Sequence, residues 1–391
     1  MKKEQIEKSK ALLGEDTFEM LIRVHEDAIW MLESLGVGCT HPVILKIYEK
    51  FEEEGLAIFF EDRIYITSDL LFKSLESVPD VADFFVPPTT VLVGNNASHV
   101  YNDATGKGGI TLSAGHIVRI AKAAGKNSSV GGLGTGPALK NDALQMGLMA
   151  EHCQKPLCLR ITSDAGFEKA KALHAERKDI MAEFPMISPM ETDGKFSDAF
   201  VRAVEAGLPL MVTSKPLAGV DAPYCYNSVL AMAHAEVLFG ICTAQLLNPG
   251  LVCVHGGSPA IADPQNDFTP NSSLMGHDIA NILMAHLSLI LDIPTCQRAG
   301  ADIKSGKALC LKYGMHMVCH SFGILPDSGD FSFAKLEEDM EMAETVKAED
   351  APDVKMPVYD ERGMESLRRN ELKSYKDDPL TKENAGKVFV Q

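Results

Sequence analysis

Polar residues of a catalytic kind recur in this chain at one type of place, just after a short apolar or β-branched run. Arg160 and Thr162, Ser188 with Glu191, Ser214 with Lys215, His255 with Gly256 and Gly257, Arg298, and His320 with Ser321 all close such runs. Tyr101, Asp103, Tyr224, Asp263, Asp302, Asp327 and Asp330 fall in the loops beyond them. The set mixes several hydrogen-bond donors with few nucleophiles. No G-x-S-x-G elbow, phosphate-binding Walker loop, H-E-x-x-H zinc motif or D-x-D-x-D-G calcium loop is present in the sequence.

Metal ligation is the first chemistry to weigh. His316 and His320 form an H-x-x-x-H pair beside Cys319, and Cys253, His255 and Cys296 close neighbouring runs. Imidazole and thiolate are the ligands zinc prefers. In a strand, however, residues four apart stand about 13 Å apart at a rise of ~3.3 Å, too far to share one ion. Core cysteines and hydrogen-bonded histidines are therefore expected, with no metal. Glu236 and His286 sit in apolar helical runs, where a structural partner (an arginine or a helix terminus for the glutamate) is expected. Tyr101, Tyr224, Tyr226, Phe322, Phe331 and Phe333 supply ring faces, two or three of which around one centre would hold an onium cation.

These residues need a scaffold, and the pattern supplies one. From Thr89 short strands alternate with longer helices: Thr90–Val93, Ser129–Leu133, Leu157–Thr162, Pro185–Ser188, Pro209–Ser214, Leu251–His255, Pro294–Arg298 and Met315–His320. Helices fall between them at Ser113–Ala124, Asn141–Gln154, Gly166–Ala182, Asp198–Gly207, Tyr226–Leu247, His277–Leu291 and Lys304–Lys312. Eight such units in roughly 250 residues fit an α/β fold of the (β/α)8 TIM-barrel type, with its site at the C-terminal strand ends. The Gly131–Gly136 run lacks the three-glycine dinucleotide spacing and does not support a Rossmann fold. Residues 1–88 read as a helical and β-hairpin appendage, 89–346 as the barrel and 347–391 as a C-terminal tail. In the appendage, Asp16 caps one helix, His41–Glu54 forms a second, Glu61-Asp62 tips a hairpin and Ser68 caps a third helix.

Charge removes options. With 37 Lys and Arg against 54 Asp and Glu, the 391-residue chain carries −17, which disfavours nucleic acid and anionic membranes as partners. Nine cysteines are too dilute for a disulfide scaffold. The N-terminal residues lack the apolar core of a signal peptide, and the apolar stretch Leu230–Leu247 contains His234, Glu236 and Gln245 and reads as a buried helix. A cytoplasmic location and a homo-oligomer are expected.

The segment Val204–Met340 carries the stretches EAGLPLMVTSKPLAGVDAPY, HAEVLFGICTAQLLNPGLVCVHGGSPAIAD, RAGADIKSGKAL and HSFGILPDSGDFSFAKL. HVYNDATGKGGITLSAGHIVRIAKAAG and ESLGVGCTHP precede them in order. Together they resemble the trimethylamine methyltransferase superfamily, whose members pass methyl groups from methylamines and quaternary amines to corrinoid proteins. The resemblance implies a (β/α)8 barrel, as the strand count does independently. It also implies a partner corrinoid protein whose cobalamin accepts the methyl group, with no cofactor held permanently by this chain.

The chain is shorter than typical members, and it lacks the pyrrolysine of the archaeal trimethylamine enzymes, consisting of standard residues alone. A quaternary ammonium departs as a neutral tertiary amine and needs no activating electrophile, so the resemblance points to a betaine, as in the glycine betaine methyltransferases. A betaine asks for a carboxylate donor, with Arg298, His255, Arg160 and His320 the candidates. It also asks for an onium surface, for which Tyr101, Tyr224 and Phe331 are placed. Asp103, Gly256, Gly257 and Asp302 are the candidates for shaping the mouth against the corrinoid. The alternatives are a zinc-dependent methyltransferase of a thiol or methoxy compound and a non-catalytic paralogue that binds a ligand or a corrinoid protein.

Overall fold

The computed structural model describes residues 3–79, 89–94, 99–135, 139–192, 194–263, 267–270, 275–298, 302–315, 317–320, 322–325, 330–370 and 372–385. The side chains of residues 89–94, 135, 195, 196, 275, 318 and 320 lie outside that description.

Among the described residues eight parallel strands close into a barrel, each hydrogen-bonded to the next in chain order. They are β1 (Thr89–Gly94), β2 (Val130–Thr135), β3 (Leu157–Arg160), β4 (Ile180–Pro185), β5 (Leu210–Thr213), β6 (Cys253–Gly257), β7 (Thr295–Arg298) and β8 (Met317–His320). β8 pairs with β1, with Met317 opposite Thr89, which seals the ring. This is the (β/α)8 arrangement expected from the alternation of strands and helices.

One strand differs from expectation. The run expected to be helical through Ala182 stops at Glu176, and β4 lies at 180–185 rather than 185–188. No breaker residue marks the end. Arg177 marks it instead, its guanidinium gripping Asp179 and the carbonyls of Cys153 and Lys155. That clamp turns the chain into the sheet, and the pairing of Leu157 with Ile180 continues from it.

The appendage forms the hairpin Ala57–Phe60 and Arg63–Ile66 and the expected helices, with two changes of cap. The first long helix, α1 (Glu15–Ser34), starts after Gly14 at φ 83, without a side-chain cap. A preceding helix, Lys3–Leu13, runs into that glycine, so a left-handed turn does the work expected of Asp16. Thr67, not Ser68, caps the helix Ser68–Leu75, accepting from the Leu70 amide.

α2 (Tyr226–Leu247) is the hub. It is apolar on all sides and long enough to cross a membrane, yet 94% of its most apolar window is buried within the fold. α1 packs on one side, with Tyr48 hydrogen-bonding Thr243 and Ser77 hydrogen-bonding Gln245 nearby. β5 and β6 lie on another side, and the tail helix Glu361–Asn370 on a third. One hydrophobic core runs through all of these elements. The tail is ordered here against its own barrel: the Tyr375 amide donates to Val220, and Asn384 donates to the Tyr224 carbonyl.

Gly256 shows how tight the barrel interior is. A Cβ there would stand 2.6 Å from Thr213 Cγ2 and 3.0 Å from both Met211 Cγ and the Val212 carbonyl oxygen. Gly256→Ala is expected to destabilise the fold by about 1–3 kcal/mol through overpacking. Urea denaturation checks this; an unchanged midpoint would mean that the strands separate at no cost.

Candidate functional site

Side chains alternate across a strand, so the residues lining a barrel can be read every second position. Cys158, Met181, Met211, Val254, Cys296 and Met317 form one apolar cluster inside the barrel. Two residues further along the same strands stand Arg160, Glu183, Thr213, Gly256, Arg298 and Cys319. An apolar floor is thus overlaid by a charged layer at the C-terminal end of the barrel. Lys215 follows just past β5, one step nearer the opening.

The charges in this layer are unequal. Arg160 donates to Glu183 at 2.6 Å, and both side chains are largely buried. Lys215 and Arg298 add two further cations, so among the described residues three positive groups share this layer with the Glu183 carboxylate. The side chain of Lys215 is open to solvent, yet its ammonium is pushed below its ordinary pKa. The largest cause is desolvation; Glu183 opposes it, and Arg298 and Arg160 reinforce it. Such a group is hemmed in by protein but still wetted, which describes the wall of a recess. Burial likewise lowers the Arg298 guanidinium. Beneath them Cys319 and Cys296 touch, sulfur to sulfur at 3.0 Å. That contact, with burial, raises the Cys296 thiol well above its usual value.

A second shell of contacts fixes the strand ends. Glu236, on α2, is completely buried and meets no arginine or helix terminus among its described partners. It accepts from the Ser188 and Ser214 hydroxyls at 2.8 and 2.5 Å and from the Met190 amide at 2.7 Å. Ser214 is the residue before Lys215, so one carboxylate ties the ends of β4 and β5 together. Burial raises its pKa to about 7 despite those three bonds. Glu191 reaches outward instead, to Arg63 of the appendage hairpin at 2.8 Å.

The structure separates the residues expected at the mouth. Arg298 and Arg160 lie in the charged layer. His255 does not: it faces away from the barrel interior, hydrogen-bonded through Nε2 to His234 at 2.9 Å, which in turn meets His25 at 3.0 Å. Burial drives His255 down to about 3, so this line of imidazoles is neutral and joins the appendage to β6. Tyr224 is fully buried, its hydroxyl donating to the Ala262 carbonyl, and Phe331 is fully buried edge-on to Phe333. Neither presents a free ring face. Tyr101 is half-buried in the hairpin after β1, its amide donating to the Phe331 carbonyl.

Asp103 accepts from Ser332 and the Ala334 amide, and Asp302 caps the helix Ile303–Lys312; both orient loop ends. Gly256 and Gly257 are buried; an added side chain would collide with Thr213 on the inner face at Gly256 and with Gln297 and Met284 on the helix side at Gly257, so neither offers a docking surface. The side chain of His320 and all of His316 lie outside the described residues.

Metal-ligand spacing also dissolves. Cys253 receives a hydrogen bond from Gln245, His255 points outward and Cys296 inward. Among the described residues no group of three or more His, Cys, Asp or Glu side chains could hold a metal ion. His286 is a core residue bonded to Ser9. Sequence reasoning noticed Lys215 without selecting it, and missed Glu183 and His277. Glu183 was hidden by the shifted strand. Period-two counting back from Arg160's partner strand would have found it.

The family model described as trimethylamine methyltransferase (MTTB) matches residues 158–371, more than half of the 391 residues. Among curated proteins, a glycine betaine methyltransferase of Desulfitobacterium hafniense is 24% identical over 383 residues, spanning 84% of this chain and 75% of that protein. A trimethylamine methyltransferase of Methanosarcina mazei is 31% identical over 86 residues, 22% of this chain and 17% of its own. Among solved structures, the monomethylamine methyltransferase of Methanosarcina barkeri aligns with a TM-score of 0.46 at 9% identity, covering 85% of this chain and 80% of that one.

The elevated pKa of Glu236 has a measurable consequence. Between about pH 4.3, where an unfolded glutamate titrates, and about pH 7, the native state keeps a proton that the unfolded chain has lost. Stability from this group is therefore full at low pH and declines as pH rises through that window, by at most about 1.4 kcal/mol per unit. Glu236→Gln removes the decline, so its stability relative to the parent is expected to rise between pH 5 and 7. Denaturant melts at several pH values check this; two parallel curves would show that Glu236 is ionised throughout.

Proposed function

Because the chain belongs to the trimethylamine methyltransferase family, we propose that it moves a methyl group from a carboxylated quaternary amine to the cobalt of a separate corrinoid protein. Glycine betaine is the type of the substrate. The observation that carries this reading is the inverted charge of the recess. A chain of net charge −17 gathers Arg160, Lys215 and Arg298 with the Glu183 carboxylate at its barrel mouth, a layer rich in cations among the described residues. A bare methylammonium gains nothing from such a site. The carboxylate of a betaine would pair with these cations and oppose the desolvation, and the smaller repulsion from Arg298 and Arg160, that depress Lys215.

The corrinoid supplies the nucleophile when its carrier protein docks over the mouth. This chain's residues hold and aim the methyl donor. Arg298 offers a planar fork to the substrate carboxylate and Lys215 a point charge beside it. Arg160 is held in place by Glu183 and lends its field. Anchoring one end leaves the trimethylammonium end toward the opening, where the half-buried Tyr101 offers a ring face. The C–N bond breaks as the methyl group leaves; both bonding electrons stay on nitrogen, and a neutral tertiary amine results. No proton moves at the reacting atoms, so no acid–base pair is required. Positioning and exclusion of water carry the rate. A reducing cytoplasm suits a reduced corrinoid partner.

The test is spectroscopic. Protein mixed with free cob(I)alamin is expected to give methylcobalamin with glycine betaine or a longer carboxylated analogue, and not with choline or trimethylamine. Arg298→Met is expected to raise KM at least tenfold. Conversion only with amines that lack a carboxylate would remove the carboxylate reading. Tight ligand binding without turnover, with an active corrinoid partner present, would replace catalysis by ligand binding.

A further inference from the structure

His277 is a buried polar group that none of the foregoing uses. It stands in the first turn of α3 (Met275–Leu289), which follows β6 and its loop. Its side chain is 3% exposed, and neither ring nitrogen has a hydrogen-bond partner among the described residues. Other core histidines do find partners: His286 meets Ser9, and His25, His234 and His255 meet one another. A buried imidazole with both nitrogens unmatched is costly unless something else satisfies it. The first turn of α3 follows the C-terminal end of β6, and α3 packs against β7, the strand that ends at Arg298; Arg298 and Lys215 are the charges that act on the ring. Burial first, and those cations second, hold it down to about 4, so at neutral pH it is an uncharged ring with one N–H to donate. Asn281, one turn further along α3, donates to the His277 carbonyl at 2.7 Å and keeps its own Oδ1 unmatched among the described residues.

Resting on the reading of the recess as a betaine site, we propose that His277 is a specificity-determining residue that donates a hydrogen bond to the substrate carboxylate. Lys215 and Arg298 attract any anion that reaches them, through their positive charge. A neutral N–H at a fixed point on a helix adds direction, so it rewards a carboxylate at one distance from the onium carbon. A substrate with a hydroxyl in place of the carboxylate meets the same ring face but forms a weaker, uncharged hydrogen bond. His277 thereby separates carboxylated quaternary amines from alcohol-bearing ones.

Calorimetric titration of the full-length protein, without any corrinoid partner, tests this. The probes are glycine betaine, trimethylammonium acids with two to five carbons in the acid chain, and choline. The parent is expected to bind at least one of the acids more tightly than choline. His277→Leu is expected to lose roughly tenfold to a hundredfold of that acid's affinity, the usual worth of a hydrogen bond to a charged group, with a much smaller loss for choline. His277→Gln, which keeps an N–H, is expected to retain most of it.

Equal losses for acid and choline, or no loss for either, would overturn the assignment, as would a parent that prefers no acid over choline. Thermal melts of both variants show whether the fold is intact. If His277→Leu does not fold, His277→Gln decides alone: carboxylate preference retained supports the proposal, and preference abolished overturns it. Selective acid binding with no methyl transfer to cob(I)alamin would overturn the catalytic reading above and leave this one standing.

Discussion

A completely buried carboxylate is held at the outer wall of the barrel by two serine hydroxyls and one backbone amide. Much of the site depends on that arrangement. Glu236 belongs to the helix α2, while Ser188, Met190 and Ser214 belong to the ends of β4 and β5. Removing a carboxylate from water is expensive, and only the three donors offset it. Any movement of either strand end breaks at least one of those bonds. The position of Lys215, which follows Ser214 directly, is thereby coupled to the packing of α2, and α2 is itself clamped by the appendage and the tail.

The second organising fact is a reversal of sign. The chain as a whole is strongly acidic, but the layer over the barrel floor is basic. These arginines and this lysine gather at one end of the barrel, where Arg160 and Glu183 are largely buried and Lys215 stays open to solvent. Among the described residues they share the layer with one another and with Glu183. On the proposed reading, an anion binds among these cations. A betaine brings its anion tethered to the cation that carries the methyl group, so holding one end places the other.

Much of the scaffold was legible in the sequence because alternation of short β-branched runs with helices has few solutions. Seven of the eight strand positions follow from composition and turn residues alone. β4 escaped because Ile180-Met181-Ala182 continues a helical pattern unbroken, and the signal that ends the helix is a tertiary one, the grip of Arg177 on Asp179 and two carbonyls. The site was less legible for a related reason. Being at the end of a strand does not decide which face a residue takes. His255 and Arg298 look equivalent in sequence, yet one lies on the outward phase of β6 and the other on the inward phase of β7. Tyr224 and Phe331 lie in loops but in loops that the tail and the first hairpin cover, which only the folded chain reveals. His277 gave no local sign at all, since its interest lies in what it lacks.

The contacts of α2 also bear on how this chain can change over time. A helix turns by roughly 100° with each residue. His234 reaches His25 and His255, Glu236 reaches three strand-end groups, Thr243 reaches Tyr48 and Gln245 reaches Ser77. Inserting or deleting one residue near the start of α2 would swing all four away from their partners at once. Substitutions can accumulate along this helix one at a time, each with its own local compensation. A change of length has no gradual route, so descendants of this chain should vary in their surface loops while the spacing within α2 stays constant.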